Sequence, residues 1–361
     1  FILILLFILP ISNSFGAMHT LVQTAEVKDS GTFASGIHFN PDGTKMFVVY
    51  STKASGDYTH VSEYNLSAPF DVSTKVYASD DQRCILNSGE TDFGPIDKVH
   101  DLEFSNDGLM LFVSRGVNNS DDSRGDKVFR FDLTSPYDVS TCVFASQTPG
   151  LDTDLLQDGS NAGDPDDGTN NNARRKNRLQ GFEINDDGTK LFALFHYQGT
   201  GTGKSSRLLE YQLSTAFDLS TVSLILDAGI DLEVQATNPK GLRFSPDGKR
   251  FWVTDHQATA TGRDVVQVSL AVAFSTSSFT IDGTASIADS NEQSNGIAFS
   301  AAGLKMYIPH EEDDEIYEYN LVCPFNIIEG KCPSITTGDR TGMAIAQIEV
   351  ATRTIEHSTD T

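Results

Sequence analysis

Residues 241–254 read GLRFSPDGKRFWVT, and variants of this phrase occur five times along the chain. Residues 36–49 read GIHFNPDGTKMFVV, 101–114 read DLEFSNDGLMLFVS, 181–194 read GFEINDDGTKLFAL, and 296–309 read GIAFSAAGLKMYIP. Each is an apolar strand ending at Phe39, Phe104, Ile184, Phe244 or Phe299, then a tight turn, then a second apolar strand. Asp precedes the turn glycine in four of the five copies. Glycine accepts the positive φ that such a turn demands, and Asp bonds its own backbone there. The turn glycines Gly43, Gly108, Gly188, Gly248 and Gly303 stand 65, 80, 60 and 55 residues apart. A recurrence of that length is the mark of a repeat architecture.

A second phrase follows each first one. Residues 61–74 read VSEYNLSAPFDVST, 128–141 read VFRFDLTSPYDVST, 208–221 read LLEYQLSTAFDLST, and 316–327 read IYEYNLVCPFNI; residues 265–278, VVQVSLAVAFSTSS, are a weaker copy. Its alternation predicts a third strand, and the segment after it, such as 76–79, a fourth. Five units of four strands predict an all-β chain folded as a five-bladed β-propeller over residues 18–332. The last unit has no fourth strand after Ile327. Residues 19–27 are a lone strand ahead of the first unit and are predicted to fill that place, closing the ring and hiding the sheet edges. A linear solenoid would leave both ends open and ranks second.

Composition narrows the function. The 361 residues carry 26 Lys and Arg against 50 Asp and Glu, a net charge of −24. Such a chain repels phosphate backbones, which disfavours nucleic acid as a partner. Residues 1–17 open with FILILLFILP and continue with small residues, which reads as the remnant of a signal peptide; the run is too short to span a bilayer comfortably. Export implies an oxidising compartment, at the cell surface, in the outer membrane or outside the cell. Cys84, Cys142, Cys323 and Cys332 fit two disulfides there. Cys323 with Cys332 would close a short loop, leaving Cys84 for Cys142, and no C-x-x-C spacing suggests zinc.

The units resemble the S-P-D-G repeats of YVTN-type and WD-like bacterial propellers, most closely at residues 40–43 and 245–248. The resemblance implies the blade hairpin and leaves function open, because propellers host many chemistries. The tail, residues 333–361, contains GDRTGMAIAQIEVATRTIEHSTD and resembles the junction ahead of a membrane barrel in autotransporter-like surface proteins of marine bacteria. That implies a propeller passenger whose only membrane association runs through a C-terminal barrel outside this sequence. The tail reads as a linker or an amphipathic helix, with Ile345, Ile348 and Thr352 on one face.

Strand order fixes which loops meet. Residues entering each first strand and leaving each second strand share the face opposite the Asp-Gly turns. The candidates there are His100, Gln180, Lys240 and Asn295 on entry, and Arg115, His196, Asp255, His256, His310 and Glu311 on exit. Imidazoles and carboxylates converging there can hold a divalent metal or move protons, or serve as solvated loop residues. A second candidate is the insertion before residue 177, where Asp152, Asp154, Asp158, Asp164, Asp166 and Asp167 sit among Gly and Asn. Calcium takes oxygen ligands from such loops, although the spacing is not that of an EF-hand. No nucleophile elbow, phosphate loop or H-E-x-x-H is present. The expectation is therefore an exported or cell-surface binding module for a glycan, peptide or small molecule. It needs no cofactor, with calcium or another divalent metal as the ion to look for. The alternatives are a metal-dependent, lactonase-like hydrolase using His196, His256 and His310, and a structural passenger of an outer-membrane barrel.

Overall fold

A computed structural model describes residues 18–27, 32–52, 59–86, 98–116, 126–151, 177–197, 206–232, 234–256, 265–287, 294–311 and 314–332. The expectations for residues 1–17, for Asp152, Asp154, Asp158, Asp164, Asp166 and Asp167, and for residues 333–361 lie outside the described residues.

The five phrases are five antiparallel sheets arranged as a propeller. Blade one holds β2 (Thr32–Phe39), β3 (Lys45–Thr52), β4 (His60–Leu66) and β5 (Lys75–Tyr77), with β6 (Cys84–Ile85) added on β4. Blade two holds β7 (Lys98–Phe104), β8 (Met110–Gly116), β9 (Lys127–Asp132) and β10 (Val143–Gln147). Blade three holds β11 (Asn177–Ile184), β12 (Lys190–Tyr197), β13 (Arg207–Leu213) and β14 (Val222–Asp231). Blade four holds β15 (Pro239–Phe244), β16 (Arg250–Asp255), β17 (Val265–Leu270) and β18 (Phe279–Ala285). Blade five holds β19 (Ala298–Phe299), β20 (Lys305–His310) and β21 (Glu315–Leu321), and its fourth strand is β1 (His19–Glu26). β1 runs antiparallel to β21 with Leu21 opposite Tyr319, so the leading segment closes the ring as its lone position ahead of the first unit implies.

The inner strands approach one another more closely than side chains allow. A Cβ on Gly241 would stand 2.7 Å from the backbone of Gly296, and one on Gly296 would stand 2.9 Å from Gly36. One on Gly36 would stand 2.9 Å from the Cα of Asp101. The glycine that opens four of the five phrases is thus a requirement of close approach about the axis. Between blades the second strands bury apolar side chains. Phe47 and Val49 pack with Leu102, Phe104 and Phe131, and Trp252 is fully buried with its ring 4.4 Å from that of Phe299.

The Asp-Gly face repeats one device in every blade. Phe70, Tyr137, Phe217, Phe274 and Phe325 all adopt positive φ, between 50° and 59°. Each donates its backbone N–H to the turn glycine's carbonyl at 2.8–2.9 Å and lays its ring where a glycine side chain would stand. The aromatic carbonyl then accepts from a cation of the preceding blade. Lys305 reaches Phe70 at 2.8 Å, Lys45 reaches Tyr137 at 2.9 Å, and Arg130 reaches Phe217 at 3.1 Å. Lys190 reaches Phe274 at 2.7 Å and Arg250 reaches Phe325 at 2.6 Å. In three blades the lysine also pairs with a buried third-strand carboxylate: Lys45 with Glu63 (2.8 Å), Lys190 with Glu210 (2.5 Å) and Lys305 with Glu318 (2.7 Å). The second oxygen of Glu210 accepts the Thr276 amide at 2.8 Å, and that of Glu318 the Val72 amide at 3.2 Å, each in the next blade. At Glu210 and Glu318 both carboxylate oxygens have partners, the condition under which buried charges are tolerated.

Cys84 is bonded to Cys142, joining the outer parts of blades one and two, and Cys323 is bonded to Cys332. Two disulfides fit a protein that matures outside the reducing cytoplasm. Among the described residues no helix is long and apolar enough to cross a membrane.

Candidate functional site

The mouth of the ring, where the inner strands enter it, lies opposite the staples. Where four of the inner strands enter the ring, the ladder slips: between Ala34 and Gly36, Val99 and Leu102, Leu179 and Phe182, and Pro239 and Leu242. A bulge re-aims residues, and here it turns Ser35, His100, Gln180 and Lys240 aside from the ladder at equivalent places in four blades.

His256, at the end of β16, is the centre of what converges. Its Nε2 stands 3.8 Å from Glu311 Oε2. Burial, then the positive charge of Lys240 and more weakly His196, push its pKa down to about 3, against hydrogen bonds that the ring gives to Ser294 and Asn295. The imidazole is therefore neutral at physiological pH, and its approach to Glu311 is a dipolar contact rather than an ion pair. One group thus assembles from three successive blades: His196, then Lys240 and His256, then Asn295 and Glu311.

The remaining predicted residues are placed differently. The Asp255 carboxylate accepts the amides of Thr237 (3.0 Å) and Asn238 (2.9 Å), fixing the turn that leads into β15. Asn295 also donates its side-chain amide to the Ala34 carbonyl at 2.9 Å, tying the fifth blade to the first. The His310 ring is fully buried against Tyr317, with centroids 3.9 Å apart. Arg115 is fully buried with its guanidinium over Phe129. His100 lies between blades two and three, against Gly116 beside Arg178. Gln180 is fully buried, and neither of its amide atoms finds a partner among the described residues. Among the described residues no three His, Cys, Asp or Glu side chains gather closely enough to hold a metal ion.

Below the mouth lies a second cluster that the motif search passes over. The third residue of each phrase is His38, Glu103, Glu183, Arg243 or Ala298. These form a layer across the axis. Arg243 spans it: Nη1 meets Glu183 Oε2 at 3.3 Å, Nη2 donates to the Leu102 carbonyl at 3.3 Å, and Nε to the Ile297 carbonyl at 3.4 Å. Glu103 accepts the Ile184 amide at 2.8 Å, and His38 packs on Phe104. One layer up, four blades present glycine and only Asp101 projects a side chain, aimed at by the amides of Leu102, Phe182 and Leu242. Burial raises Asp101 and Glu183 to about 7. Burial and then Glu183 hold Glu103 well above the carboxylate range. Burial opposes the charge on Arg243, but Glu183, Asp101 and Glu103 together outweigh it. His38 is kept neutral by burial and by Arg243. The readable signal is a charged residue between two apolar ones in a strand otherwise written for the interior.

No protein-family profile and no curated protein matches the chain. Solved structures of similar shape include a glutaminyl cyclase of Myxococcus xanthus, 11 % identical, covering 84 % of this chain and 96 % of that one, with a TM-score of 0.41. A GH43 β-1,3-galactosidase with galactodeoxynojirimycin is 11 % identical over 82 % of this chain and 94 % of that one, with a TM-score of 0.48. The β-propeller domain of Cps50 (Swd1) from Myceliophteria thermophila is 10 % identical over 84 % and 99 %, with a TM-score of 0.37. These likenesses concern overall shape and bring no chemistry to this chain.

Proposed function

We propose that this chain is an exported interaction module that takes a glycan, peptide or small molecule at the mouth of its ring. The observation that supports this reading is the gathering of His196, Lys240, His256, Asn295 and Glu311 from three blades around a neutral imidazole. A neutral histidine both donates and accepts, Lys240 supplies a cation, and Glu311 an anion. Such a set recognises a polar ligand by hydrogen bonds more than by bulk charge. Export is supported by the two disulfides and the apolar residues 1–17. It places the module at the cell surface, in the outer membrane or outside the cell.

Glycan and peptide arrays test this, run with calcium and with a chelator so that the aspartates of residues 152–167 enter the same experiment. The expected result is retention by the native chain and its loss in Lys240→Ala and His256→Ala. Retention of nothing under either condition, or equal retention by both variants, overturns the reading.

A further inference from the structure

We infer that the axial cluster is a proton-operated lock on the ring: protonated, it holds the five inner strands together, and ionised, it pushes them apart. The geometry carries this. Three carboxylates, Asp101, Glu103 and Glu183, share the axis with one guanidinium, and Asp101 and Glu103 are 1 % and 7 % exposed. Arg243 pairs directly with only one of them, Glu183. The charged groups facing this cluster are few. β2 brings His38, β7 brings Asp101 and Glu103, β11 brings Glu183 and β15 brings Arg243; β19 brings only Ala298, and Asp186 acts on Glu183 from the turn after β11. One cation cannot neutralise three buried anions, and an uncompensated buried charge is expensive enough that the group keeps its proton instead. A protonated acid here adds a hydrogen-bond donor; an ionised one adds repulsion at the point where the glycine backbones already touch.

The direction of the effect follows. An acid whose pKa is higher folded than unfolded keeps a proton that the unfolded chain releases. Stability from this cluster is therefore complete below the ordinary carboxylate range, about pH 4, and falls as pH rises towards about 7, where Asp101 and Glu183 lose their protons. The surface acids Asp42, Asp71, Asp107 and Asp187 are shifted the other way by hydrogen bonds, so their contribution is lost in strong acid. The maximum then lies in mild acid.

The test is the thermal midpoint of the full chain between about pH 5 and about pH 8.5, for the native protein and for Glu103→Gln with Glu183→Gln. Glutamine copies the shape of a protonated glutamate and cannot ionise. The expected result is a native midpoint that falls across this range and a visibly flatter profile in the double variant. A native midpoint that is level or rising, or equal slopes in both proteins, overturns the lock. Should the double variant not fold, the native protein alone decides by infrared spectroscopy. Carboxyl groups still protonated at about pH 6 and ionised by about pH 8.5 are expected, and their absence at about pH 6 overturns it.

Discussion

The two faces of the ring are built by different rules. On the Asp-Gly face every blade uses the same parts: a turn glycine, an aromatic held at positive φ over it, and a cation from the neighbouring blade on the aromatic's carbonyl. At the mouth the corresponding places hold Ser35, His100, Gln180, Lys240 and Asn295, five different side chains. A part needed for closure must recur in each blade, because the ring is only as strong as its weakest junction. A part that recognises something outside the ring has no such obligation. The difference teaches that in this chain repetition marks stability and its absence marks the surface free to specialise.

The largest effect that could break this comparison lies at a turn glycine. In Gly188→Val the new side chain needs φ near +71° and collides with the Phe217 ring, whose nearest atom would lie 2.4 Å from the Cβ. We expect a loss of about 4 kcal/mol or more, read by urea unfolding. Gly150→Ala, with nothing within 4 Å of the added carbon, is expected to stay within about 0.5 kcal/mol. Next come the covalent links. Cys84–Cys142 spans 58 positions and Cys323–Cys332 only 9, so on loop entropy removal of the first costs about 4 kcal/mol and of the second about 3. Serine pairs at each, compared by the same unfolding curves, rank them. Comparable to the shorter disulfide is a single staple. Glu210→Ala strands Lys190 and the Thr276 amide and is expected to cost about 3 kcal/mol, whereas His256→Ala at the mouth is expected to cost under about 1. Equal costs for those two would erase the distinction between the faces.

Much of the stapled face was readable. The Asp-Gly turns, the third strands and the lone leading strand carry periodic signals, and local periodicity is what a sequence shows directly. The role of Phe70 and its counterparts was visible only as a recurring letter, since no rule of spacing says that an aromatic will cross to positive φ and cover a glycine. At the mouth, strand order put His196, Lys240, His256 and Glu311 on one face among ten candidates, without singling out the approach of His256 to Glu311. It could not foresee that Asp255 would be spent on two amides or that His310 would turn against Tyr317, because both depend on partners distant in space and unpatterned in sequence. The axial layer was missed for the opposite reason. His38, Glu103, Glu183 and Arg243 occupy one letter of the repeat, and their meaning appears only when five copies are superposed about an axis.

The pairing of β1 with β21 has a consequence for how this protein comes into being. Gln23 hydrogen-bonds Glu318, 295 positions away, and also Asp71 in the first blade, so the clasp joins the two ends of the circle. Contacts of such span make folding slow. While the polypeptide is being synthesised, β1 has no mate until Glu315–Leu321 has emerged, so the circle stays unlatched until the last blade has been made. A product that stops short of β21 would leave two bare strand edges, an invitation to self-association that the finished molecule withdraws in a single step.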